Sequence, residues 1–85
     1  MVAFDDAKVI ASSFIKGEDQ ETSIEKLQLV TGQEKIRIFS SQGGIVILRP
    51  LIISEEELLD LLHQAIHSGV LPRNFIGKLR ERIEI

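Results

Sequence analysis

The chain has 85 residues, of which 44% are hydrophobic and 27% are charged, and its formal net charge is -3. This length fits one domain, predicted to span residues 1–85, and leaves no room for a large two-domain enzyme. The absence of cysteine excludes disulfides, a catalytic thiol and thiolate metal ligands. The aliphatic content is large for so small an interior. Surplus apolar surface favours burial in a subunit interface, so a homo-oligomer is predicted.

The composition also predicts a cytoplasmic protein. The first residues include Asp5 and Asp6 and lack the basic start and apolar run of a signal peptide. No stretch approaches the roughly 20 apolar residues that a membrane helix needs. The net acidity disfavours non-specific nucleic-acid binding. We therefore expect a protein partner or a second copy of the chain, no membrane and no cofactor.

The N-terminal third predicts extended structure with one clear ambiguity. Residues 5–16 fit either a helix capped by Asp5 or a strand with alternating apolar residues. Residues 24–30 fit a strand in which Leu27 and Leu29 face inward. A helix is the alternative for this second segment also, and the strand is preferred because the next four residues then form a hairpin loop.

A β-hairpin is predicted next. Residues 35–39 alternate polar and apolar side chains, which is typical of a half-buried strand. Residues 42–44 include two glycines and supply a turn, because glycine accepts positive φ. Residues 45–48 are apolar on both faces, which predicts a central or doubly covered strand. Pro50 should end or bend that strand because proline lacks the N–H that a ladder needs.

Two helices are predicted to complete the chain. Ser54 and Glu57 form a capping box ahead of apolar residues at helical spacing, which predicts a helix over 55–68 that Gly69 ends. Pro72 suits the first turn of a second helix over 72–84. The predicted fold class is α+β: a small antiparallel β-meander of about three strands packed against two C-terminal helices, after an N-terminal helix or strand.

The predicted function is that of a small non-catalytic protein–protein interaction or regulatory module. The sequence has no phosphate-loop, nucleophile or acid–base signature, so it predicts no enzyme and no catalytic residues. The interface is placed on apolar residues of the 45–53 segment and of the second helix. Its candidate members are Ile45, Ile47, Ile52 and Phe75.

A nucleic-acid-binding regulator is the alternative function, using the C-terminal helix pair. The candidate residues are Arg73, Lys78, Arg80 and Arg82. A second basic surface is the strand face shared by Lys35, Arg37 and Phe39, which resembles a platform for single-stranded nucleic acid. One aromatic residue offers little stacking surface, so a half-covered strand is the simpler interpretation.

A metal site on the first helix is a further hypothesis. Asp60, His63 and His67 lie on one side of the predicted helix and supply nitrogen and oxygen ligands that suit Zn²⁺. The residue after the first histidine is Gln64, whereas a zincin helix has glutamate there. A solvated polar helix face is the simpler interpretation of this cluster.

Overall fold

The computed structural model describes residues 7–47 and 49–84. The elements are β1 Lys8–Lys16, β2 Glu21–Gln28, β3 Glu34–Gln42, β4 Ile45–Val46, β5 Leu51–Ile53, α1 Glu55–His67 and α2 Phe75–Ile83. The first three strands form an antiparallel meander and two helices follow at the C-terminal end, which confirms the α+β class. Residues up to Glu55 belong to one compact unit and residues from Glu56 to another. A single domain over residues 1–85 stays a prediction.

The ambiguous N-terminal element is a strand. β1 pairs antiparallel with β2, and a β-bulge between Val9 and Ala11 leaves Ile10 without a Cα partner. Extended backbone is favoured here because Val9, Ile10 and Ile15 are β-branched and lose side-chain freedom in a helix. Asp5, the expected cap of the helical alternative, lies outside the described residues.

The hairpin between β2 and β3 agrees with the sequence prediction for residues 24–30. Eight Cα pairs join the two strands without interruption. Leu27 faces inward and is 1% exposed, while Leu29 is half-buried. Leu27 is also the only buried apolar residue in the ranges that the structure describes. The interior is therefore thin, as expected for so short a chain.

The strand predicted over residues 45–48 is neither central nor doubly covered in its described part. β4 consists of Ile45 and Val46 alone, and both side chains are exposed at the end of the sheet. The chain then leaves β3 and returns as β5, which pairs with another part of β3. Pro50, which cannot donate to a ladder, lies in this interruption. The described sheet thus adds β4 and β5 to the three-stranded meander, and Leu48 lies outside the described residues.

The predicted turn and helix-stop glycines are confirmed. Gly43 and Gly44 have φ of 60° and 84°, and positive φ at both central residues is the type I′ pattern that fits a two-residue hairpin. Gly69 has φ of 82° and follows the end of α1. A left-handed glycine is a frequent terminator of α-helices because no Cβ opposes that conformation.

The second helix begins three residues later than predicted. Phe75 is its first residue, and the N–H of Phe75 donates to the carbonyl of Pro72 at 2.9 Å in the turn before the helix. Pro72 therefore shapes a turn, and the helical ladder starts with the N–H of Lys78 donating to the carbonyl of Asn74. Across their described residues α1 and α2 do not pack along one another.

Gly69→Ala and Gly77→Ala are expected to change stability in opposite directions. At both positions an added Cβ meets nothing within 4 Å, so backbone conformation decides the result. Alanine costs about 1 kcal/mol at the left-handed Gly69. Inside α2, alanine at position Gly77 raises the free energy of unfolding by about 1 kcal/mol. Urea unfolding followed by far-ultraviolet circular dichroism measures both changes, and changes of the same sign would contradict this assignment.

Candidate functional site

The five-stranded sheet presents two faces of different chemistry. Side chains alternate along a strand and directly paired residues share a face, so the register assigns each residue to one face. One face carries aliphatic side chains from all five strands and is called the aliphatic face. Its members are Ile15, Ile24, Ile36, Ile38, Ile45, Leu51 and Ile53.

Cross-strand pairs organise the aliphatic face into two rows. Ile24 lies opposite Ile38, and Ile38 lies opposite Leu51, so one row crosses three strands. Ile36 lies opposite Ile53 in the second row. Such pairs stabilise the sheet, because aliphatic side chains cover one another. These pairs do not bury the face from solvent, since the side chains of Ile24 and Leu51 remain 39% and 45% exposed.

A concavity of about 350 Å³ adjoins this face. Its lining includes Ala11, Ile24 and Ile36, together with Lys26 and Glu34. The Nζ of Lys26 lies 3.0 Å from Oε1 of Glu34, and both side chains are about half exposed. Of the ten lining residues three are apolar, two are serines and five are charged, and one of the charged residues is Glu55.

The opposite face of the sheet is called the ion-pair face, and it also carries the apolar side chains of Val9, Phe14, Leu27, Val46 and Ile52. Arg37 donates from Nε to Oε1 of Glu25 at 2.8 Å and also from Nη2 to the same oxygen. The Cζ atom of Arg37 lies 5.4 Å from the centroid of the Phe39 ring. Lys35, Arg37 and Phe39 do share this face. Because Arg37 already binds a carboxylate, the face is a poor platform for phosphate.

The four predicted interface residues do not form one surface. Ile45 lies on the aliphatic face, and Ile47, just after β4, is also exposed. Ile52 is half-buried opposite Arg37, which places it on the ion-pair face. Phe75 is half-buried at the start of α2, in the other compact unit. The structure therefore keeps Ile45 as part of an aliphatic surface and separates it from Ile52.

Sequence reasoning missed most members of the aliphatic face. Ile36 and Ile38 alternate with the basic residues of β3, so their shared face was visible in the sequence. Strict alternation through residues 45–53 also separates Ile52 from Ile45. The contribution of Ile24 was not visible, because it depends on the register between β2 and β3.

The basic residues of the alternative nucleic-acid site lie on α2 or just before it, and all are exposed. They are Arg73, Lys78, Arg80 and Arg82. Lys78 and Arg82 are four residues apart and share one side of the helix, whereas Arg80 projects from another side. These residues do not make the single basic stripe expected of a helix that follows a phosphate backbone.

The proposed metal ligands lie on α1 and are exposed. They are Asp60, His63 and His67. Within residues 7–47 and 49–84, no group of three or more histidine, aspartate or glutamate residues is arranged to hold a metal ion. The three residues share a helix face but are not brought together as a ligand set.

No protein-family model, curated protein or solved structure matches this chain. In the described part of the chain, neither helix has the length and apolar run needed to cross a bilayer. Function is therefore inferred from the two faces of the sheet and from the surfaces of the helices.

Removing one partner of the Glu25–Arg37 pair is expected to cost more than removing one partner of the Lys26–Glu34 pair. Glu25→Gln weakens a pair whose side chains are only 16% and 27% exposed, which costs about 1–3 kcal/mol. Glu34→Gln affects a half-exposed pair and costs less than about 1 kcal/mol. Both pairs join β2 to β3, on opposite faces, so each controls for the other. Equal losses in urea unfolding would contradict the difference between the faces.

Proposed function

We propose that this protein is a small cytoplasmic, non-catalytic interaction or regulatory module that associates with itself through the aliphatic face. The supporting observation is its unusual distribution of apolar side chains. Only Leu27 is buried among the described residues, while four members of the aliphatic face, Ile15, Ile24, Ile45 and Leu51, are at least 39% exposed. Monomeric proteins rarely leave a large contiguous apolar patch in water. The lack of cysteine is compatible with a reducing compartment.

The face of the sheet, rather than its edge, is the expected contact. β1 is the first strand in the order of the described sheet, with Lys8 and Lys16 at its ends and a bulge at Ile10. Charged ends and bulges keep edge strands from pairing with other chains. The aliphatic face has no comparable protection, because Lys26 and Glu34 neutralise one another there.

An isologous dimer suits this surface. Two-fold symmetry brings the same patch of both copies together, so an apolar face meets an apolar face. The concavity beside Ile24 and Ile36 then accepts an apolar side chain of the second copy, as central pockets of interfaces do. A different protein with an apolar face would use the same surface, which is the regulatory form of this proposal.

Native mass spectrometry of the purified, untreated protein is expected to show a homo-oligomer without metal or nucleic acid. The apolar face drives association, and the net charge of -3 does not favour retention of nucleic acid. A monomer would contradict self-association. Bound metal would favour the His63–His67 face, and bound nucleic acid would favour Arg73 and the basic residues of α2.

Leu51→Asp is expected to dissociate the oligomer, because it buries an unpaired carboxylate in the apolar contact. Ile45→Asp is expected to act in the same direction. Val46→Asp is the matched control: Val46 is 47% exposed against 45% for Leu51, but it lies on the ion-pair face. Sedimentation velocity measures the mass, and circular dichroism checks the secondary structure. Dissociation by Val46→Asp, or an intact oligomer with Leu51→Asp, would exclude the aliphatic face as the contact.

A further inference from the structure

The two helices carry a second exposed apolar surface. No residue of Glu55–His67 or Phe75–Ile83 is buried. Several large apolar side chains of these helices are at least 44% exposed: Leu59, Leu61, Ile76, Leu79 and Ile83. Because α1 and α2 do not pack along one another, neither helix covers the apolar side of the other. An amphipathic helix in water needs a covering surface for that side.

The two helices also carry opposite charge. α1 has four acidic residues and no lysine or arginine, so its formal charge is -4; the acids are Glu55, Glu56, Glu57 and Asp60. α2 has three basic residues and one acidic residue, so its formal charge is +2; they are Lys78, Arg80, Glu81 and Arg82. At about 100° per residue, Arg80 and Arg82 border the apolar stripe of α2 on its two sides. Glu57 borders the stripe of α1 next to Leu61.

We propose that a second copy of this chain covers these helices, with α1 of each copy lying along α2 of the other. This inference rests on the proposed self-association and specifies its helical contact. Two-fold symmetry makes the two α1–α2 contacts identical. Each contact places an acidic helix beside a basic helix, whereas pairing α1 with α1 or α2 with α2 brings like charges together. Apolar burial supplies the attraction, and charge decides which helix meets which.

The sheet offers no comparable match in charge. Its aliphatic face carries the neutral pair of Lys26 and Glu34 and one further lysine, Lys8, so its formal charge is smaller than the +2 of α2. The acidic α1 has its best complement in the basic α2. Since these two helices are not packed together within one chain, that complement is supplied by a second copy.

The unmodified protein allows a direct test by carbodiimide coupling. Lys78 is the only lysine after Lys35 in the sequence, so its links to carboxylates report the surroundings of α2. Isotopically light and heavy copies are mixed, unfolded, refolded together and coupled. We expect Lys78 joined to an acidic residue of α1 in peptides of mixed isotopic mass. Linked peptides of a single isotopic mass only would show that the links form within one copy, and would overturn the proposed pairing. Links of Lys78 only to sheet carboxylates would also overturn it.

Charge reversal provides a second test. Arg80→Glu with Arg82→Glu is expected to weaken association about tenfold or more, and so is Glu56→Lys with Glu57→Lys. Mixing the two double variants places the new lysines of α1 opposite the new glutamates of α2, so a one-to-one heterodimer is expected to be tighter than the homodimer of either variant. Glu81→Lys changes the side of α2 away from its apolar stripe and is the control, with an effect within about twofold.

The outcomes separate this inference from the proposed function. Oligomers that withstand both charge reversals overturn the α1–α2 contact and leave the aliphatic face as the interface. A monomeric wild-type protein overturns both. Because Glu57 belongs to the predicted capping box, circular dichroism checks the helix content of each variant. If the α1 variant loses helix, the coupling pattern of Lys78 in the wild-type protein decides whether the α1–α2 contact between copies exists.

Discussion

The ladder between β2 and β3 is the interaction on which the rest of the sheet depends. β3 pairs with β2 over eight positions and also with β4 and β5, so it connects both sides of the described sheet. The buried Leu27 and the Glu25–Arg37 pair belong to one side of this ladder, and Ile24 and Ile38 belong to the other. Loss of the ladder would separate β1 from β4 and β5 and remove both faces at once.

The two faces of the sheet differ in how their side chains are stabilised. On the ion-pair face, a carboxylate and an aromatic ring of the same chain surround Arg37, and in the described ranges no buried side-chain polar atom lacks a partner. On the aliphatic face Lys26 and Glu34 pair with each other, and the aliphatic side chains gain only by leaving water. A short chain has few residues to spare for a second layer. The proposed self-association would cover this face without lengthening the chain.

Local signals in the sequence predicted local structure well. Gly43 and Gly44 have the positive φ that their turn requires, and Gly69 follows the end of α1, because these features depend on neighbouring residues alone. Position in the sheet was predicted poorly. The apolar run that starts at Ile45 suggested a central strand, yet it lies at the end of the sheet because β5 takes another stretch of β3. The contribution of Ile24 to the aliphatic face was not predicted for the same reason, because it depends on the register between β2 and β3.

The bulge in β1 bears on how an assembly of the proposed kind would grow. A face-to-face contact between two copies uses up the surface that made it and closes at a finite size. Pairing through a strand edge leaves a fresh edge on each added copy and continues into a fibre. Ile10 interrupts the regular ladder at that edge. One extra backbone residue in β1 thus disfavours filament growth by strand pairing at that edge.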